Sequence, residues 1–293
     1  MTDTLLVTGA HGQVGHALTR LAGLHGFKPV ALGSSELDIT DAAAVERAAQ
    51  AHAPAAVVNA AAYTGVDKAE EEEARAQAVN ADGPAHLARV FGSAVPLLHF
   101  STDYVFDGEG KRPYREDDST APLGAYGRTK LAGEKTILAA ARGSVMRTAW
   151  VYSDHGGNFL KTMLRVGRER GALSVVDDQI GTPTHAADIA EAALVMLRKQ
   201  MEAPGLAGLY HYTASGQTSW HGFAAAIFEA LESETGERVG LSAIPSSDYP
   251  TPAARPAYSV LDGSRIERTF GVTRPDWRAP VAGTVAEVLK ERV

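Results

Sequence analysis

Thr8-Gly9-Ala10-His11-Gly12-Gln13-Val14-Gly15 sets three glycines at the spacing G-x-x-G-x-x-G, directly after the apolar run 5–8 and before an amphipathic stretch, 14–25. A strand-to-helix turn of this kind uses glycine for a tight bend, for close approach of backbone N–H groups to a pyrophosphate, and for close packing of helix on strand. The positive end of the helix then favours the phosphate charge. The spacing alone is weak, because 29 glycines produce chance matches and a plain turn also needs small residues. Its position between first strand and first helix makes Gly9, Gly12 and Gly15 the expected centre of a dinucleotide site.

Outward from this turn, short apolar runs at 28–32, 55–59, 95–101, 143–148 and 173–176 alternate with alanine-rich helical stretches at 42–51, 70–91 and 127–141. Runs that are nearly all apolar suit strands buried on both faces, and their alternation with helices predicts an α/β fold with a doubly wound parallel sheet. Beyond Trp150 the rhythm loosens, and residues 242–261 carry Pro245, Pro250, Pro252 and Pro256, too many for a helix or a central strand. The expected organisation is a dinucleotide-binding domain over 1–152, rejoined by 172–203, with a smaller substrate-binding lobe over 153–293.

Composition narrows the function. The 28 basic and 35 acidic residues leave a formal net charge of -7, which opposes attraction to nucleic acid or to an anionic membrane. The 293 residues include no cysteine, which removes disulfide and thiolate chemistry and fits a reducing compartment. The N-terminus has no basic region or cleavage site of a secretion signal, and no apolar run approaches the roughly 20 residues of a membrane span. A cytoplasmic protein is expected. The acidic run Glu70-Glu71-Glu72-Glu73 reads as the solvated start of a helix, where acids suit the dipole. No histidine pair has the H-E-x-x-H spacing of a zinc site.

The second strand ends at Gly33-Ser34-Ser35, where a dinucleotide's ribose is read. No acid stands there to hold a free 2′-hydroxyl, although Glu36 and Asp38 follow. Small hydroxyl residues leave room for a 2′-phosphate, so the reading is NADPH or NADH with a lean to NADPH.

The chemistry is carried further along. The fourth run ends in Ser101-Thr102-Asp103-Tyr104, and Tyr126-Gly127-Arg128-Thr129-Lys130 opens the next helix with tyrosine and lysine four residues apart, on one face. Hydride delivered to a carbonyl leaves an alkoxide that must be protonated. A phenol of ordinary pKa about 10 does this better when a neighbouring ammonium favours its ionised form. Tyr126, Lys130 and Thr102, the last at a strand's C-terminal end, form the candidate catalytic group. As a pair, tyrosine and lysine could equally be surface residues of an ordinary helix; the glycine turn upstream gives them weight.

These segments, with Asn59-Ala60-Ala61-Ala62-Tyr63-Thr64, Val66-Asp67-Lys68-Ala69-Glu70, Asp178-Gln179-Ile180-Gly181-Thr182-Pro183-Thr184 and Arg255-Pro256, resemble the extended short-chain dehydrogenase/reductase family nearly end to end. Within that family, 4,6-dehydratases follow the threonine with an Asp-Glu pair, and here Asp103-Tyr104 follows, which disfavours elimination; the usual serine-rich version of 4-epimerases is absent as well. The resemblance implies reduction of the C4 keto group of dTDP-4-dehydro-L-rhamnose to give dTDP-L-rhamnose. It implies that Gly9, Gly12, Gln13, Val14, Asp38, Ile39, Ala60, Ala61, Tyr126 and Lys130 touch the cofactor. Asp103, Tyr104, Phe106 and Trp150 would line the sugar site, with Trp150 alternatively a core aromatic. Arg255 is a plausible partner for the diphosphate. Some relatives bridge a dimer with magnesium held by acids; Ala17 and Ala187 stand in the matching places, so a metal is doubtful and the chain is expected as monomer or homodimer. Two rivals stand beside this reading: a non-catalytic dinucleotide-binding regulatory subunit of the same fold, and a reductase of another nucleotide-linked 4-keto sugar.

Overall fold

The computed structural model describes residues 2–290. Strand β1 (Asp3–Thr8) leads through the glycine turn into helix α1 (Gln13–Leu21), and β2 (Phe27–Leu32) follows. Helix α2 (Ala42–His52), capped by the Asp41 carboxylate on the Ala43 N–H, precedes β3 (Ala56–Asn59). Helix α3 (Gly83–Phe91) leads to β4 (Leu97–Thr102), and α4 (Ala125–Leu138) to β5 (Gly143–Thr148). These strands pair in parallel in one six-stranded sheet, whose sixth member is the short strand Leu209–His211 beside β5.

Burial follows from the two-residue period of a strand. Leu5 and Val7 face one core with Leu18, Ile189, Leu194 and Leu197, while Leu6 faces the other with Val45, Val57, Leu87 and Leu97. Both faces of β1 are therefore dry, and helices on each side cover them.

Three features differ from the expectations. Residues 70–91 are not one helix: short helices at Val66–Glu71 and Glu73–Gln77 pass into a π-helical turn, Ala78–Asp82, before α3. At that turn Asn80 is fully buried and its side chain holds the backbone N–H and C=O of Tyr63, so the bulge serves a polar tie rather than a straight helix. The strand Ala172–Val176 does not join the main sheet; it pairs in parallel with Gly240–Ile244 in a separate two-stranded sheet. Of the segment 172–203, only the helix Ala186–Glu202 packs beside α1 on the main sheet. A second core gathers Tyr152, Leu160, Leu164, Phe223, Ile227, Phe228, Trp277 and Val285 from the remaining C-terminal elements. Among the described residues no helix is long and apolar enough to cross a membrane.

Candidate active site

The glycine turn is packed as its sequence requires. Gly9 adopts φ +67, and a Cβ there would overlap the Ala60–Ala61 backbone. A Cβ on Gly15 would overlap the Gly9 carbonyl and Ala10, so Gly15 lets α1 sit against the turn rather than touching a ligand itself. Gly12 has space on its open side and caps α1 with no side-chain hydrogen bond, so the first turn of the helix presents its N–H groups outward. A cradle with a helix N-terminus and no side chain in the way fits a dinucleotide pyrophosphate.

Around it the expected residues divide. The Gln13 side chain accepts hydrogen bonds from Ser153 Oγ (2.9 Å) and Asn158 Nδ2 (2.9 Å), so it ties the turn to the C-terminal elements and leaves its backbone N–H for the cofactor. Val14 packs partly buried on the core. Ile39 is 3% exposed and wedged against Gly83, so its side chain belongs to the core and only its backbone is left to meet a cofactor. Asp38 is exposed and folds onto the N–H and hydroxyl of Thr40. After β2, Glu36 turns back to accept from the Gly33 N–H (2.6 Å), and the His11 ring lies over Gly33, leaving Ser34 and Ser35 exposed. Both acids that follow β2 are thus engaged locally, Glu36 with the Gly33 N–H and Asp38 with Thr40.

Beyond the cradle, Thr102, at the C-terminal end of β4, donates to Asp103 Oδ1 (3.0 Å) and accepts from the Tyr104 N–H (3.2 Å). Tyr126 and Lys130 come from the start of α4, whose close approach depends on Gly127, where a Cβ would overlap the Tyr104 carbonyl. Burial pushes the Tyr126 phenol up to about 12, with the neighbouring Thr102 hydroxyl pulling it back. The same cause lowers Lys130 to about 8, opposed by the charge of Glu134. Asp103 is 2% exposed and raised to about 6 by burial, against hydrogen bonds from Ser259 and Thr102; its Oδ2 has no partner. Tyr104 stands edge-on to Tyr126 with ring centroids 5.7 Å apart.

Helix α4 is anchored from below by a buried ion pair: Glu134 takes both Arg147 Nη2 (2.6 Å) and Nε (2.8 Å), so the guanidinium fork fixes the helix to β5. Phe106, expected at the sugar site, is fully buried; its ring stacks on Tyr114 at 4.1 Å and lies under the Arg147 guanidinium. It supports that anchor and offers no surface to a ligand.

Among the C-terminal elements lies a cavity of about 480 Å³, lined by Phe159, Arg170, Gln179, Trp220, Tyr249 and Arg255 among others. Trp150 has a left-handed backbone, φ +47, and stacks flat on Trp220 with ring centroids 3.5 Å apart. Gly181 makes room for it, since a Cβ there would run into the indole. Arg255 is held in a bidentate pair with Asp67 (2.8 and 3.1 Å), which joins the C-terminal segment to the helix Val66–Glu71. Gln179 lies in the run 178–184 that carries the resemblance and Phe159 in the matching pair Asn158-Phe159, but neither was assigned a role; Trp220 carried no motif, its only signal being aromatic character, and tertiary folding brings the three together. Ala17 and Ala187 face a different cavity of about 380 Å³, and among the described residues no group of three or more His, Cys, Asp or Glu is placed to hold a metal ion.

A dinucleotide cradle at the first strand-to-helix turn, with tyrosine, lysine and threonine converging at the same edge of the sheet, is the site of a nicotinamide-dependent oxidoreductase of the Rossmann type. The chain belongs to the family described as the RmlD substrate binding domain, which it matches over residues 3–290. It is 41% identical over 291 residues to a dTDP-4-dehydrorhamnose reductase of Sinorhizobium fredii, covering 98% of each chain. Among solved structures it is similar to a dTDP-4-dehydrorhamnose reductase of Clostridium acetobutylicum, with TM-score 0.90 and 37% identity over 98% of this chain and 99% of that one. It is also similar to the dTDP-4-dehydrorhamnose reductase of Bacillus anthracis in complex with NADP, with TM-score 0.89 and 34% identity over 98% of this chain and all of that one.

Proposed function

We propose that the chain reduces the C4 keto group of dTDP-4-dehydro-L-rhamnose to dTDP-L-rhamnose. The observation that carries this is the end of β4: Thr102 stands beside Tyr126, and Asp103-Tyr104 occupy the place where elimination would need a second free carboxylate. The reductases named above, similar over nearly the full chain, support the same reading.

The cofactor is NADPH or NADH, with a lean to NADPH. Gly9, Gly12 and the N–H groups of Gln13 and Val14 hold the pyrophosphate, and Ala60 and Ala61 line the floor beside Gly9. Ser34, Ser35 and His11 face the ribose, where the Glu36 carboxylate is already occupied by the Gly33 N–H. When bound, the nicotinamide supplies the hydride that reduces C4.

The protein supplies everything else. Thr102 holds the carbonyl oxygen, and its one proton is shared between that oxygen and Asp103. Tyr126 keeps its proton because burial disfavours the phenolate, and it donates that proton to the oxygen as charge develops there. Lys130, four residues on and on the same helical face, stabilises the phenolate left behind. Trp150, stacked on Trp220, covers the sugar, and Arg255, preset by Asp67, meets the diphosphate. The cavity behind Trp220 takes the base. The enzyme works in the cytoplasm as a monomer or homodimer, on a nucleotide sugar and not on nucleic acid.

The test is a coupled assay in which a dehydratase and a 3,5-epimerase make the 4-keto sugar from dTDP-glucose. Purified protein is expected to consume NADPH at the nicotinamide absorbance band. No consumption, or equal consumption with a uridine-linked 4-keto sugar, overturns the reading or its nucleotide specificity respectively.

A further inference from the structure

Behind Lys130 runs a line of buried polar side chains that no step above uses. Thr8, Asn59 and His99 occupy one register of three adjacent parallel strands, β1, β3 and β4, so their side chains project from the same sheet face one strand spacing apart. All three are fully buried. Thr8 Oγ1 donates to Asn59 Oδ1 (2.7 Å), Asn59 Nδ2 meets His99 Nδ1 (2.9 Å), and His99 Nε2 meets Lys130 Nζ (3.2 Å). Lys130 Nζ also donates to the Phe100 carbonyl (2.6 Å).

Proton bookkeeping gives this line a direction. Asn59 Oδ1 also accepts from the Ala61 backbone N–H (3.1 Å), a donor that cannot reverse. The amide is thereby oriented with Nδ2 towards His99, so His99 Nδ1 accepts. A neutral imidazole that accepts at Nδ1 carries its only proton on Nε2, which faces Lys130. His99 is neutral, because burial and the Lys130 charge both drive its pKa well below the usual range. An N–H aimed at an amine is a hydrogen bond; aimed at an ammonium it is a repulsion. Turning the imidazole tautomer would set two donors against each other at Asn59 instead.

We propose that His99 is a positioning residue that acts through Lys130: held as the Nε2–H tautomer by Asn59, it lowers the proton affinity of Lys130 and thereby sets the alkaline limit of the reduction. Besides His99, the charge that bears on Lys130 is Glu134 on its own helix, itself paired with Arg147 on β5, while Tyr126 stands one helical turn before it. None of them presents a donor to Nζ in the structure. The Thr8 end of the line lies in the glycine turn, so the same residues that shape the cofactor cradle also fix this proton.

The proposal rests on the reductase reading only for its kinetic arm. In that arm, turnover is measured against pH for the wild type and His99→Phe. Activity is expected to fall above about pH 8 in the wild type, where Lys130 loses its proton, and the fall should move up by about one pH unit in the variant, because the opposing N–H is gone. If His99 instead accepts a hydrogen bond from the ammonium, the variant moves the limb down, and an unmoved limb with lower turnover means a structural role; either result overturns the proposal. The second arm needs no activity and no variant. Nitrogen-15 NMR of the histidine rings, assigned through the backbone in the wild-type protein, is expected to show His99 protonated at Nε2 and bare at Nδ1. The reverse tautomer overturns the proposal even if the enzyme reduces its substrate.

Discussion

At the scale of single residues, the site is organised by burial acting on opposite charges. Tyr126, Lys130 and Asp103 are all moved towards their neutral forms, and each shift has desolvation as its largest cause. Tyr126→Phe removes the proton donor while leaving the ring, so turnover should drop by about 10²- to 10⁴-fold with the NADPH dissociation constant within two-fold; equal losses in both would contradict its role. Asp103 allows a stability prediction. Its folded pKa of about 6 lies above the unfolded value of 3.8, so the folded state binds the proton more tightly and stability is lost as pH rises from 3.8 through 6. Asp103→Asn cannot ionise, and it should therefore stabilise the fold at pH 8, by at most roughly 3 kcal/mol and with a higher melting temperature, the gain shrinking to about 1 kcal/mol near pH 4.5. Thermal melts at the two pH values check this, and a gain that is the same at both would show that charge burial is not the cause. The cost belongs in activity, because Thr102 loses its carboxylate acceptor.

At the scale of elements, helix α4 is the part that has to be placed, since it carries both Tyr126 and Lys130. Its lower half is fixed by Glu134 against Arg147, a bidentate pair in which the two side chains are 1% and 3% exposed. Breaking one partner of such a pair leaves an uncompensated buried charge and costs about 3–5 kcal/mol, so Glu134→Gln should lower the melting temperature by roughly 10 °C. The double variant Glu134→Gln with Arg147→Met should recover most of that loss, and calorimetry of the three proteins checks it. This anchor was invisible in the sequence, because a Glu at the tenth helix position and an Arg in a strand have no spacing signature. The glycine turn, the five main strands, Thr102 and the Tyr126–Lys130 pair were legible because each obeys a local rule: a period, a cap, a helical repeat. Sheet membership is not local. The run 172–176 has the apolar character of a buried strand, and nothing in it says that its partner is 240–244; the true sixth strand, Leu209–His211, is only three residues long and falls below what periodicity can detect. The burial of the Phe106 and Ile39 side chains was hidden for the same reason, since a motif fixes a residue's position along the chain but not the direction of its side chain.

At the scale of the molecule, the cleft lies between the main sheet and the C-terminal elements, and side-chain ties cross it, two of them from residues of the quoted motifs. Gln13 reaches from the glycine turn to Ser153 and Asn158, and Asp67 reaches from the first half to Arg255. The second tie bears directly on substrate binding. A guanidinium held by Asp67 through two parallel hydrogen bonds keeps its plane fixed at the rim of the 480 Å³ cavity, with further donors free for a diphosphate. An ammonium at the same place keeps the charge and loses the fork. Arg255→Lys should therefore raise KM for the nucleotide sugar about ten-fold, the loss of one charge-assisted hydrogen bond of about 1.4 kcal/mol, with turnover at saturation reduced by less than three-fold. Because Arg255 does not touch the glycine turn, NADPH binding measured by fluorescence titration should stay within two-fold of wild type. A parallel loss of NADPH affinity would instead mean that the Asp67–Arg255 pair holds the whole cleft closed. The diphosphate would then need another partner, and Arg170 is the other guanidinium lining that cavity.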